Sequence, residues 1–298
     1  MLDRTIALAE LGVRALAATG NQPNSLSHPF SLVQLAATDV TGWRSVGQGV
    51  WENDFPAESV QLATFTHAEM AADRFSRQLA SALDGVANGA DPHWTAVTTY
   101  YASFYAAQSL LLRCGSGAVR FTGVRGLPFQ GVYAISAKAS NVYAGRVAVR
   151  LSSVGGSSHR ATWREIVDLL DDLVGIESNP RAILVLETLK KEISRPRWLS
   201  DARNEINYDL TSSPFRMPNW PSLLFKLDNE SQVEDELARS EQVRTERRFE
   251  IVTMSLAILS AQLREEYRVR GGRIDSRQIR EREAILPSHS WLVMHERA

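Results

Sequence analysis

Residues 91–112 read DPHWTAVTTYYASFYAAQSLLL, and their pattern decides what kind of fold the chain builds. Asp91 is suited to cap a helix, and Pro92 stands where a first turn needs no amide hydrogen. Val97, Tyr101, Phe104, Gln108 and Leu111 then form one stripe, widened by Tyr100, Ala107 and Leu110. A helix with so much aromatic and small-residue surface must pack on more than one side, which predicts a helical bundle around it.

Working outward, the helical pattern upstream runs from Thr66 to about Gly89 through Met70, Phe75, Leu79 and Leu83. Residues 1–18 also suit a helix, with Gly20 as a stop. Between them lies a mixed stretch: SLVQLAA is a short helix or a strand, and TGWRSVGQGVWENDFPAESVQLATF reads as a hairpin followed by an irregular connection.

Downstream of Gly115 the period switches to short alternating runs broken by glycines, which predicts two to four strands over about 118–152. Helical signals return at Ser158. Trp163, Ile166, Leu169, Leu170 and Leu173 share one side of a first helix, and Ile183, Leu184, Leu186 and Leu189 that of a second opened by Pro180. Residues 198–209 suit a further short helix, 232–269 one bent helix or two, and RIDSRQIREREAIL a last one. Ile251, Met254, Leu256, Ile258 and Leu259 would bury the long segment against the bundle or a partner. The expected fold is predominantly α, a helical bundle with a β insertion, α+β overall. Its organisation is a mixed N-terminal region at 1–65 packed on a helical domain at 66–298 that ends in a C-terminal helical extension.

Composition narrows the classes. At 298 residues with 44% hydrophobic and 22% charged residues, the chain is globular, neither disordered nor fibrous. The one cysteine, Cys114, excludes an intramolecular disulfide framework and points to a reducing compartment. The first twenty residues lack a signal peptide's basic leader and unbroken apolar core, and no apolar window is long enough to span a bilayer, so a cytoplasmic, non-membrane protein is expected. The formal net charge is -1, yet from Pro92 through Arg164 there is no Asp or Glu, while Arg113, Arg120, Arg125, Lys138, Arg146, Arg150, Arg160 and Arg164 all carry positive charge. Such a stretch faces either a polyanion or an acidic surface elsewhere in the fold.

YYASFYAAQSLLL, at 100–112, and LSDARNEINY, at 199–208, together resemble the HEPN family, helical-bundle proteins of bacterial toxin and defence systems. The first segment resembles the family's early helix, in which a tyrosine pair precedes small and aromatic positions. The second resembles its motif helix, which in active relatives carries an arginine, an adjoining polar residue and, a few residues on, a histidine. Arg203 matches the arginine and Asn204 the polar residue, and Tyr208 stands where the shortest motif would place histidine. The resemblance implies metal-independent RNA cleavage with the ribose 2′-hydroxyl as nucleophile, and a homodimer or a protein partner that completes one cleft. The alternative it leaves open is a catalytically inactive scaffold within a defence complex, because tyrosine titrates near 10 and is a poor base at neutral pH.

Helical spacing sets Arg203 with Asn207 and Asn204 with Tyr208, a polar patch that suits either an RNA site or a buried hydrogen-bond network. Arg203 is the expected phosphate clamp, with Asn204 or Asn207 orienting the phosphate. His159, beside Arg160 at the junction between the strands and a helix, is the first candidate for the missing proton-transfer group. Arg160 and Arg164 extend the expected RNA contact. Neither GSG at 115–117 nor VGG at 154–156 has the lysine and Ser/Thr of a nucleotide-triphosphatase loop, and the six histidines make no compact zinc motif, so neither a nucleotide cofactor nor a metal is expected.

Overall fold

The computed structural model describes residues 31–140, 145–155, 158–194, 229–239, 248–269 and 276–286. In chain order these form α1 (Leu32–Thr38), β1 (Arg44–Gly47), β2 (Val50–Pro56), α2 (Ala57–Ala87), α3 (Pro92–Arg113), β3 (Ser116–Phe121), β4 (Gly131–Ala139), β5 (Arg146–Ser153), α4 (Ser158–Ile176), α5 (Pro180–Ile193), α6 (Glu230–Arg239), α7 (Arg248–Val269) and α8 (Ser276–Ile285). The fold is predominantly helical with one inserted antiparallel sheet of five strands.

The 91–112 segment is α3, with Pro92 as its first residue, and it is the buried axis of the bundle. Tyr100, Ala107, Leu110 and Leu111 have no exposed surface. Its line of deepest burial runs through the residues flanking the sequence stripe, while Tyr101 and Gln108 are only half-buried. α2 lies antiparallel to it, with Gly85 against Thr95 at one end and Glu69 against Arg113 at the other. α7 runs parallel on another side, where Ser103 meets Thr253 at 2.6 Å and Ser109 meets Ser260 at 3.1 Å, hydroxyl to hydroxyl. These short side chains let the two helices approach closely, and Ser103 and Thr99 also donate to carbonyls one turn back, so their hydroxyls are satisfied in the core. Residues 251–259 are all buried, which assigns the apolar run of α7 to the chain's own bundle.

α4 and α5 add the next layer through Trp163, Ile166, Leu170 and Leu173 and through Val185, Leu186 and Leu189. The Asn179 carboxamide caps α5 by accepting from Arg181 and Ala182 ahead of Pro180. Leu184 faces outward, so the apolar line of α5 passes through Val185 in its place.

The strand order is β1-β2-β5-β4-β3, so the early hairpin and the inserted strands share one sheet: β2 pairs with β5 from Val50↔Ser152 to Pro56↔Arg146. Gly49, in the turn between β1 and β2, takes a φ of 68° that side chains resist. Val119, Phe121, Tyr133, Ile135, Val147, Val149, Leu151 and Phe55 point to the inner face, against α1 and α2. The SLVQLAA segment resolves as helix, because Ser31 and Gln34 form a capping box while Leu32 and Leu35 pack under the sheet.

One expectation is corrected. α2 begins at Ala57, nine residues before Thr66, so AESVQLATF is helix and not irregular connection. Its buried positions, Val60, Gln61, Ala63 and Thr64, are small or polar, and the Thr64 hydroxyl donates to the Val60 carbonyl, so large apolar residues do not mark the period. Met70, read as part of the buried stripe, is exposed.

A buried charge cluster ties three helices together. Glu69 of α2 accepts from Arg113 at the end of α3 through one carboxylate oxygen and from Arg282 of α8 through the other at 2.5 Å. Arg282 also reaches Asp73 at 2.5 Å. Burial works against the Arg282 charge, and the carboxylates of Glu69 and Asp73 more than offset it, so its proton is held more tightly than in free arginine. Removing one partner of such a cluster leaves buried charge uncompensated. Glu69→Ala is therefore expected to destabilise the protein by about 3–5 kcal/mol in urea unfolding. Replacing its buried members together with Glu69→Leu, Arg113→Leu and Arg282→Met, with the half-exposed Asp73 left to water, recovers most of that loss, whereas additive losses would show that the cluster does not act as a unit.

Cys114 follows α3 and is half-buried, and enclosure of its thiol pushes the pKa up to about 12 against the opposing pull of Arg113. At pH 8 only about one thiol in ten thousand is then ionised. An aromatic disulfide reagent is expected to label the native protein far more slowly than the urea-unfolded chain; equal rates would contradict the enclosure.

Candidate functional site

The N-terminal turns of α4 carry His159, Arg160 and Arg164, and α3 carries the tyrosine pair of the resemblance; the fold brings them into contact. The Tyr100 hydroxyl lies 2.7 Å from His159 Nδ1. Trp163 Nε1 points at the same hydroxyl oxygen from 3.5 Å. An indole N–H only donates, so the Tyr100 oxygen accepts from Trp163, and the same hydroxyl shares a hydrogen with His159 Nδ1 in the direction the imidazole tautomer sets. The imidazole stacks on Phe104 with ring centres 4.0 Å apart and lies near the edge of Tyr101. Aromatic residues at 100, 101 and 104 therefore do two things at once: they fill the bundle, and they fix the orientation of one histidine.

Arg203, Asn204, Asn207 and Tyr208 lie outside the described residues. Arg160 and Arg164 are exposed and one helical turn apart. Ala161, between them, packs on Ala118 of β3 and Val132 of β4, which seats the start of α4 on the outer face of the sheet at its β3–β4 side.

The register shows what the rest of that face carries. Residues alternating with the buried set are Arg44 on β1, Glu52 and Asp54 on β2, Arg146, Ala148 and Arg150 on β5, Ala134, Ser136 and Lys138 on β4, and Ala118 and Arg120 on β3. Arg44 bridges Glu52 and Asp54, each at 2.9 Å, which neutralises the acidic end of the face. Hydrogen bonding to Glu52, against a small desolvation penalty, strengthens the hold of Arg44 on its proton. Arg146 donates to the Asp54 carbonyl. Among the described residues, Arg120, Lys138, Arg150 and Arg164 have no carboxylate partner, nor does Arg125 in the loop between β3 and β4. The acid-free stretch thus delivers one cation, Arg113, to an internal carboxylate and sets most of the others over a surface of serines and alanines.

Sequence reasoning named Arg160, Arg164 and His159 for this region but not Lys138 and Arg150. Their signal was present, since both belong to the acid-free stretch, but strand register was needed to put them on one face. Trp94 on α3 is exposed, while Trp43 is buried and donates to the Ala36 carbonyl at 3.1 Å.

Comparison with family models, curated proteins and solved structures finds no match to this chain. No helix among the described residues is long and apolar enough to cross a membrane.

Tyr100→Phe removes the hydroxyl shared by His159 and Trp163 and leaves the ring stacking in place. The expected result is a loss of about 1–3 kcal/mol in urea unfolding, the cost of polar groups left without their partner. An unchanged midpoint would show that water replaces the hydroxyl, and that the contact does not orient the histidine.

Proposed function

We propose that this chain is an RNA-interacting protein, similar to HEPN proteins of toxin or antiviral defence systems, which lays RNA across the outer face of its sheet and the start of α4. The observation that carries the reading is the set of cations at Arg120, Arg125, Lys138, Arg150 and Arg164, none held by a carboxylate among the described residues. A surface of unpaired arginines among small residues suits the regular negative charge of a phosphate backbone.

In the catalytic form of this proposal, Arg203 and Asn204 bind the scissile phosphate and His159 moves the proton, with two copies of the chain meeting across one cleft. Tyr100 engages Nδ1, so proton transfer runs through Nε2. A second reading, an inactive scaffold or partner-binding subunit, is favoured by the packing of His159 itself: an imidazole stacked on Phe104 and bonded to Tyr100 already has a structural role.

Two measurements separate these readings. Reversing the face with Lys138→Glu and Arg150→Glu is expected to weaken binding of a labelled RNA oligonucleotide by about tenfold or more and to flatten its salt dependence. Unchanged binding would remove the sheet face as the interface. For catalysis, His159→Gln and Arg203→Ala should each abolish cleavage across an RNA panel while binding persists; a wild-type protein that binds but does not cleave establishes the scaffold.

A further inference from the structure

A cavity of about 240 Å³ opens where α2, α3 and β3 meet, away from His159. α2 contributes His67, Met70, Ala71 and Arg74 from one face, α3 contributes Gln108 and Leu112, and the edge strand contributes Arg120. The apolar part of the lining is small-residue and aliphatic surface, whereas every ionisable group in the lining is basic and none is a carboxylate.

The two guanidiniums of the lining, Arg74 and Arg120, are exposed at its opening, and the imidazole lies deeper. His67 is half-buried, and both its burial and, second, the guanidinium of Arg74 hold it below the usual histidine range, so its imidazole is neutral at neutral pH. Arg74 lies over the ring of Tyr105 with its guanidinium carbon 5.6 Å from the ring centre, which holds the side chain against α3. Neither Arg74 nor Arg120 has a carboxylate partner among the described residues. Two guanidiniums without a carboxylate partner, an imidazole and an amide around one cavity make a set rich in donors with no anion among them.

We propose that this cavity is a binding site for a phosphate monoester dianion. Two guanidiniums offer forked donors to the phosphate oxygens, Gln108 adds an amide N–H, and His67 donates from its N–H. The aliphatic surface of Val33, Met70 and Leu112 accommodates the carbon atoms next to the phosphate. The phosphate belongs either to a small metabolite or to the terminal phosphate of an RNA strand. The site shares Arg120 with the sheet's outer face and in that residue rests on the same cation as the RNA reading, while Arg74, His67 and Gln108 stand off that face.

The test is calorimetric titration of the full chain with inorganic phosphate, glycerol 3-phosphate, and an RNA trinucleotide carrying either a 5′-phosphate or a 5′-hydroxyl. The expected result is saturable binding of the phosphate-bearing probes, weakened about tenfold or more by Arg74→Gln. Gln108→Glu, which sets a carboxylate against the bound anion, should abolish binding, with urea unfolding of both variants confirming that they fold. Tighter binding of the 5′-phosphorylated trinucleotide than of glycerol 3-phosphate, lost with the 5′-hydroxyl form, assigns an RNA end; the reverse order assigns a small phosphate ester. Absence of binding by every phosphate probe, or binding unaffected in folded Arg74→Gln and Gln108→Glu, would overturn the proposal. A protein that binds RNA through Lys138 and Arg150 yet takes up no phosphate here fails this inference alone.

Discussion

The burial of α3 on several sides is the constraint from which the remaining architecture follows. A helix with no exposed surface at Tyr100, Ala107, Leu110 and Leu111 cannot exist at the margin of a protein. Each such large side chain taken out of water contributes about 1.5–3 kcal/mol, and the helix realises that only when covered from several directions. α2 covers it by sequence proximity, since it is the preceding helix and runs antiparallel. α7 covers it from about 150 positions further along the chain, with hydroxyl pairs at Ser103–Thr253 and Ser109–Ser260 setting the register. The small residues on both helices explain why the approach is close, and the paired hydroxyls explain why polar atoms are tolerated there.

Charge is distributed by the same logic. Among the described residues the buried cations Arg113 and Arg282 each meet a carboxylate: Glu69 serves both, and so links α2, α3 and α8. Where cations are exposed, on the outer sheet face, acidic residues are confined to Glu52 and Asp54 at one end, and Arg44 occupies both. The net charge of -1 therefore conceals a local separation of sign that matters for what the surface can attract.

His159 stands between these two regimes. Its ring belongs to the aromatic packing of α3 and α4, while its neighbours Arg160 and Arg164 belong to the basic surface. A residue in that position is oriented by the core and presented near the surface, which is what proton transfer to an external substrate requires and what ordinary packing also produces.

The sequence by itself determined the elements whose period is carried by large side chains: α3 from its aromatic stripe, α4 and α5 from their apolar lines, and the presence of strands between Gly115 and Ser158. It also determined that one long stretch has no acidic residue. It did not reveal the first nine residues of α2, because Val60, Ala63 and Thr64 are buried without being large, and a helix buried by small residues has no apolar period to read. Nor did it reveal that the hairpin at 44–56 joins the strands at 116–153, since pairing of β2 with β5 is a contact between segments about a hundred residues apart that local patterns do not encode. The site followed the same division. Residue types announced a basic stretch and a candidate histidine, but only tertiary structure decided that Arg113 turns inward to Glu69 while Lys138 and Arg150 turn outward, because side-chain direction in a strand depends on register and register depends on which face is buried.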